Sequence, residues 1–218
     1  MAEDNNKGFW LVHTIKYFPN MAGTTATLFS NDKTTKEAAA FLCMSYAHVN
    51  LRAVAKIIDY EQPIIYFTQR SASALAQPFY DSSEIQNLVN GLHKYQPTAS
   101  ASGDGIATLT PPGTVKIFAS APNYEKILPS LHTWNNYNCF MKIMRWFTES
   151  GKHTEIPKKQ DSARWSVPKS DPDFVCLSNT GRTANDAKYG ATVACVLSKE
   201  AADLFRKMIT KENSDACP

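Results

Sequence analysis

Apolar residues along the chain fall into short runs separated by polar, turn-rich stretches, and the spacing within each run predicts an element. Gly8-Phe-Trp-Leu-Val-His13-Thr-Ile is aromatic and β-branched, the pattern of a buried strand, with His13 near its end. Pro19 to Lys33 is rich in Asn, Gly, Thr and Ser and reads as a loop. Ala39 to Tyr46 is a second apolar run, whose alanines also allow a helix. From His48 to Tyr60, Leu51, Val54, Ala55, Ile57 and Ile58 make one helical face, with Arg52 and Lys56 outside it. Pro63 stops that helix, and Ile64 to Phe67 has the composition of a short strand. Ser82 to Val89 reads as a helix with Ser82 at its N-cap and an acidic first turn, ended near Gly91.

Residues 97–105 are Ser, Ala, Gly and Asp with one Pro, the composition of a flexible connector. They divide the chain into an N-terminal part, 1–96, and a C-terminal part, 106–218. Two strands joined at Pro111-Pro-Gly113 open the second part, Ile106 to Leu109 and Val115 to Ala119. Tyr124 to Leu131 has a short helical pattern, and Cys139 to Phe147 suits either helix or strand. The last predicted element is a helix from Ser198 to Met208, followed by a polar tail holding Cys217. This alternation predicts an α/β or α+β fold, a mixed β-sheet flanked by helices.

A chain of 218 residues can bury a sizeable core, and its net charge of +3 is too mild to announce a nucleic-acid partner unaided. No apolar run approaches membrane-spanning length, so no membrane partner is expected. The first seven residues have no apolar core of a secretory signal. Five cysteines, Cys43, Cys139, Cys176, Cys195 and Cys217, point instead to an oxidising compartment, where an odd cysteine wants a partner elsewhere. Five buried thiols in a cytosolic protein would give the same count. None has CxxC spacing, so neither a metal nor another cofactor is expected.

The stretch Asp161-Ser-Ala-Arg-Trp-Ser-Val167 carries the candidate chemistry. Ser162 and Arg164 stand at i and i+2, so on a strand both side chains share one face. A hydroxyl beside a guanidinium suits an anion such as phosphate, which Arg holds through two parallel hydrogen bonds. A half-exposed strand with a solvated arginine would show the same seven residues, and a histidine placed like His13 is ordinarily structural.

Taken together, Gly8-Phe-Trp-Leu-Val-His13-Thr, Phe41-Leu-Cys43-Met-Ser, Ser162-x-Arg164-Trp165-x-Val167 and the Cys176/Cys195 pair resemble the deoxyribonuclease II family. That family shows a GFWLVHS-like strand, an FLCVS-like run, an HSKW segment and a C-terminal cysteine pair enclosing a glycine-rich loop. The loop here closes with Tyr189-Gly-Ala-Thr-Val-Ala-Cys195, where the family favours a Gly-Gly-Gly-Thr-like run. The resemblance implies a phospholipase D-like fold and a secreted or lysosomal protein. It also implies pairing of Cys139 with Cys217 and of Cys176 with Cys195. Cys43 would be left without its family partner, which lies in an N-terminal portion expected to precede Met1.

The family activity so implied is metal-independent hydrolysis of DNA by two His-x-Lys motifs meeting at one phosphate. One imidazole attacks phosphorus, the other protonates the leaving oxygen, and the lysines hold the phosphoryl oxygens. The first motif is expected outside this sequence. At the second, Ser162 stands for the histidine and Arg164 for the lysine. Downstream, the family's Gly-Asp-x-Asn-Arg run becomes Ser178-Asn-Thr-Gly-Arg182, which retains Arg182. The residues two positions after the five histidines are Ile15, Asn50, Tyr95, Trp134 and Glu155, so no His-x-Lys exists in the sequence. A serine hydroxyl without an adjacent base is a poor nucleophile.

The expected reading is therefore a catalytically silent scaffold. Its degenerate site is Ser162 and Arg164, bordered by His13, with Arg164 and Arg182 as phosphate-binding groups for DNA or another polyanion. An active nuclease completed by a further N-terminal half, and a secreted interaction protein with no DNA role, are the alternatives.

Overall fold

The computed structural model describes residues 7–15, 39–69, 77–96, 106–109, 114–122, 145–147, 153–155, 164–168, 171–179 and 188–208. The first strand is β1, Lys7–His13, and it pairs antiparallel with β2, Phe41–Ala47, in a register that sets His13 opposite Phe41 and Leu11 opposite Cys43. Alternation along β2 buries Met44 and Tyr46 and leaves Phe41, Cys43 and Ser45 exposed. The strand alternative for the second apolar run is the one the chain adopts.

Helix α1, His48–Glu61, follows without a break. Its Ala47 N-cap makes no side-chain cap hydrogen bond and its first turn holds no acidic residue, so local capping does little for it. Burial of Leu51, Val54, Ala55 and Ile57, each 1% exposed or less, holds it instead. Each large aliphatic side chain so buried contributes about 1.5–3 kcal/mol. Gln62 ends the helix in the left-handed region at φ 56°, its amide donating to the Asp59 carbonyl at 3.1 Å.

Beyond Gln62 the chain departs from expectation. Ile64 to Phe67 forms no strand; it is exposed, Ile64 by 86%, and pairs with no strand among the described residues. Its β-branched composition does not supply a ladder partner, and composition alone does not make a strand. Two short helices come next, α2, Gln77–Tyr80, and α3, Ser83–Val89. Ser82 sits at the N-cap of α3, but its hydroxyl donates backwards to the Phe79 carbonyl at 2.6 Å and does not cap the helix. Gly91, at φ +60°, closes the segment where an L side chain would be strained.

The main sheet has five strands in the order β3-β4-β9-β8-β7, all pairings antiparallel. These are β3, Ile106–Leu109; β4, Val115–Ser120; β7, Trp165–Ser166; β8, Phe174–Ser178; and β9, Ala191–Leu197. A separate pair, β5, Arg145–Phe147, and β6, His153–Glu155, is also antiparallel. Every pairing among the described residues is antiparallel, so the class is α+β and the mixed sheet is not seen there. The last helix, α4, Lys199–Lys207, is capped by Ser198, whose hydroxyl accepts the Ala201 amide at 3.2 Å.

The sheet's two faces carry different cores. Ile117, Ala119, Ala194, Val175 and Leu177 belong to the larger cluster, which joins Val12 and Met44 of the hairpin to α1 and to Ala202 of α4. Phe118, Cys176, Ala191, Val193 and Cys195 form the second cluster on the opposite face. Helix α1 thus packs against the hairpin and against β4 and β9 together. The connector at 97–105 and the helical pattern at Tyr124–Leu131 lie outside the described residues, and of Cys139–Phe147 only 145–147 is described, as strand.

Candidate polyanion site at the β7–β8 edge

Arg164 precedes β7 and is exposed. The register Trp165↔Leu177 and Ser166↔Cys176 sets Arg164 beside Ser178, whose amide donates to the Arg164 carbonyl at 2.8 Å. The backbone of the candidate anion-binding residue is therefore fixed to the end of β8. Strand β1, which ends on His13, packs against β8 as well. His13 itself is half-buried, its Nδ1 has no hydrogen-bond partner, and burial lowers its pKa from 6.5. A neutral imidazole in that setting adds no positive charge at neutral pH. Ser162 and Arg182 lie outside the described residues, as do Cys139 and Cys217.

Immediately past Ser178 the chain meets a buried carboxyl that the sequence did not single out. Asn179 Nδ2 donates to one oxygen of Glu61, at the C-terminal end of α1, and Thr192 Oγ1 donates to the other. Asn179 and Thr192 also hold each other. The Thr192 amide donates to Asn179 Oδ1 at 2.9 Å, and the Asn179 amide donates to the Thr192 carbonyl at 3.2 Å. Gly190 lies so close to the Glu61 backbone that a Cβ there would overlap the Glu61 carbonyl. Both stems of the β8–β9 connection therefore converge on one helix end.

Burial pushes the Glu61 carboxyl above its usual value, and the hydrogen bonds from Thr192 and Asn179 oppose that shift without overcoming it. Among the described residues no cation contributes to the balance. Two residues earlier, Asp59 is also buried but differently used. Its oxygens accept the amides of His93 at 3.0 Å and Tyr95 at 2.9 Å, which fastens the chain after α3 to α1. Glu61 follows Val54 by seven residues and Asp59 follows Leu51 by eight, so both acids fall on the apolar stripe of α1. That misplacement was the available signal.

Cys176 and Cys195 stand opposite one another on β8 and β9 and form a disulfide, their Cα atoms 3.9 Å apart. Cys43 is a free thiol on the exposed face of β2. Among the described residues no group of His, Cys, Asp or Glu is placed to hold a metal ion. No described helix is long and apolar enough to cross a membrane.

The model of the family described as Deoxyribonuclease II matches residues 1–126 of this chain. The chain belongs to the deoxyribonuclease II family. Deoxyribonuclease-2-alpha of Bos taurus is similar to it at 22% identity over 217 residues, covering 88% of this chain and 57% of the bovine protein. The chain thus spans little more than half the length of that relative. The family match ends before Arg164, so the residues of the candidate site rest on their own geometry.

Proposed function

We propose that this chain is a secreted or lysosomal deoxyribonuclease II-like scaffold, phospholipase D-like in fold. In this reading it binds DNA or a related polyanion through Arg164, assisted by Arg182, and does not hydrolyse it. The observation that carries this reading is the pairing of an exposed Arg164 with a backbone pinned to Ser178, at a motif position where Ser162 replaces the histidine. A guanidinium keeps its charge and can clamp a phosphate bidentately. The nucleophilic step has no equivalent support. The chain contains no His-x-Lys, and both oxygens of Glu61 are already hydrogen-bonded to Asn179 and Thr192.

Binding of a fluorescent oligonucleotide across a salt series tests the anion-binding part. Affinity is expected to fall linearly on a log–log plot, and Arg164→Ala to reduce the slope by about one phosphate contact. Binding that ignores both salt and Arg164→Ala would refute the reading and favour an interaction protein with no DNA role.

A further inference from the structure

Helix α3 ends on the one Asn-Gly pair in the sequence, Asn90-Gly91. Such a pair can react with itself. With no Cβ on Gly91, its backbone nitrogen reaches the side-chain carbonyl carbon of Asn90 with less hindrance than any other residue's nitrogen would. Asn90 is exposed, so water has access to the reacting atoms. Gly91 stands at φ +60°, and where its Cβ would be, the nearest neighbour is His93 Nε2 at 4.0 Å. Backbone conformation, not crowding, calls for glycine here.

Three features of the folded cap oppose the reaction. Asn90 Nδ2, the leaving group, donates to the Gln86 carbonyl at 2.8 Å and to Gln86 Oε1 at 3.2 Å. The attacking nitrogen of Gly91 donates its hydrogen to the Leu88 carbonyl at 3.0 Å. At ψ 1° about Asn90, that nitrogen eclipses the Asn90 amide nitrogen and not Cβ, so a five-membered ring cannot close without rotation. All three restraints go together when the last turn of α3 opens. The helix has seven residues and an exposed C-terminal end, the kind of terminus that frays.

We propose that Asn90 is a site of self-modification controlled by the last turn of α3: when the turn opens, the chain cyclises to an imide that water converts to aspartate or isoaspartate. In the first step the Gly91 nitrogen loses its proton and bonds to Asn90 Cγ. The Cγ–Nδ2 bond breaks, and Nδ2 takes up a proton and leaves as ammonia. Water then adds to one of the two imide carbonyls. Cleavage of the new Cγ–N bond gives aspartate. Cleavage of the original backbone C–N bond gives isoaspartate, whose main chain runs through Cγ. Nothing is oxidised or reduced.

Neither product fits the cap. A carboxylate at residue 90 cannot donate to the Gln86 carbonyl, and its charge falls at the negative end of the helix. Isoaspartate also adds one carbon to the main chain just before Gly91. Beyond that glycine, the amides of His93 and Tyr95 are held by the Asp59 carboxyl of α1 at 3.0 and 2.9 Å, with His93 itself at φ 49°. Their register depends on the length of chain that leads to them from α3. Isoaspartate at residue 90 therefore frees the segment 91–95 from α1.

The test follows the folded protein and the same chain in denaturant over time, at neutral pH and physiological temperature. Peptides are mapped by mass spectrometry with fragmentation that separates aspartate from isoaspartate. Asn90 is expected to convert in both states, slower by about tenfold when folded, the protection that a few hydrogen bonds of ordinary net strength give. Gln86→Ala, which removes the Oε1 acceptor, is expected to speed the folded reaction by about twofold to threefold. Ion exchange then isolates the modified molecules by their added negative charge. Hydrogen exchange at the His93 and Tyr95 amides is expected to be faster in the isoaspartate form than in unmodified protein.

An Asn90 still intact in the folded chain long after the denatured chain has converted would overturn the proposal. So would equal rates in the two states, or an unchanged rate in folded Gln86→Ala. Amides of His93 and Tyr95 that exchange alike before and after isoaspartate forms would overturn the release of segment 91–95.

Discussion

Glu61 shows how one residue can sit at odds with its neighbourhood and organise it. It lies on the apolar stripe of α1, where a carboxyl is costly unless its hydrogen bonds are met, and Asn179 and Thr192 meet them. Because its folded pKa is raised above the ordinary 4.5, the folded state keeps a proton that the unfolded chain has released. Its contribution to stability is therefore fully present below the ordinary carboxyl value and is lost as pH rises through the raised one. Denaturant titrations from acidic to neutral pH should show this loss in the wild type and not in Glu61→Gln; equal slopes would contradict it. Gly190 is the partner position. Gly190→Ala should cost about 1–3 kcal/mol through overlap with the Glu61 backbone, seen as a lower unfolding midpoint. An unchanged midpoint would mean that the helix end and the loop do not touch as described.

Elements differ in how far their residues announced them. The strand at Gly8–His13 was legible from its aromatic and β-branched run, and the helix at His48–Tyr60 from one consistent period with a buried face to satisfy it. The run from Ile64 to Phe67 misled because β-branched and aromatic content marks a strand only where a neighbour exists to pair with. Ser82 was legible as a helix start but not in its bonding, since its hydroxyl found the Phe79 carbonyl first. The Asn179–Thr192–Glu61 contacts span 118 and 131 residues of sequence, beyond the reach of any local pattern.

The disulfide belongs to this scale as well. The resemblance implied the Cys176–Cys195 pair, and the β8–β9 register explains why it forms. Closing a loop of sequence separation 19 should stabilise the fold by about 3 kcal/mol. Replacing both cysteines by Ala should lower the unfolding free energy by about that amount, read from denaturant midpoints at unchanged slope. No change would place the stability of β8 and β9 elsewhere.

Across the whole molecule, family membership and α+β architecture agree with the residues that first suggested them, while the altered chemistry at Ser162 and Arg164 belongs to the proposed reading. The scaffold positions serve packing: Val12 and Met44 join α1 to one core, and Cys176 and Cys195 join the sheet's far face. Arg164 carries the account's claim about function, and it does so at the edge of that sheet, exposed and with its backbone fixed. The most direct test is an agarose gel of supercoiled plasmid incubated with the protein and a metal chelator at acidic and neutral pH. A retarded band is expected at low salt, from which intact supercoiled plasmid is recovered once the protein is stripped. Open-circular or linear product, or a plasmid that migrates as if no protein were present, would contradict it.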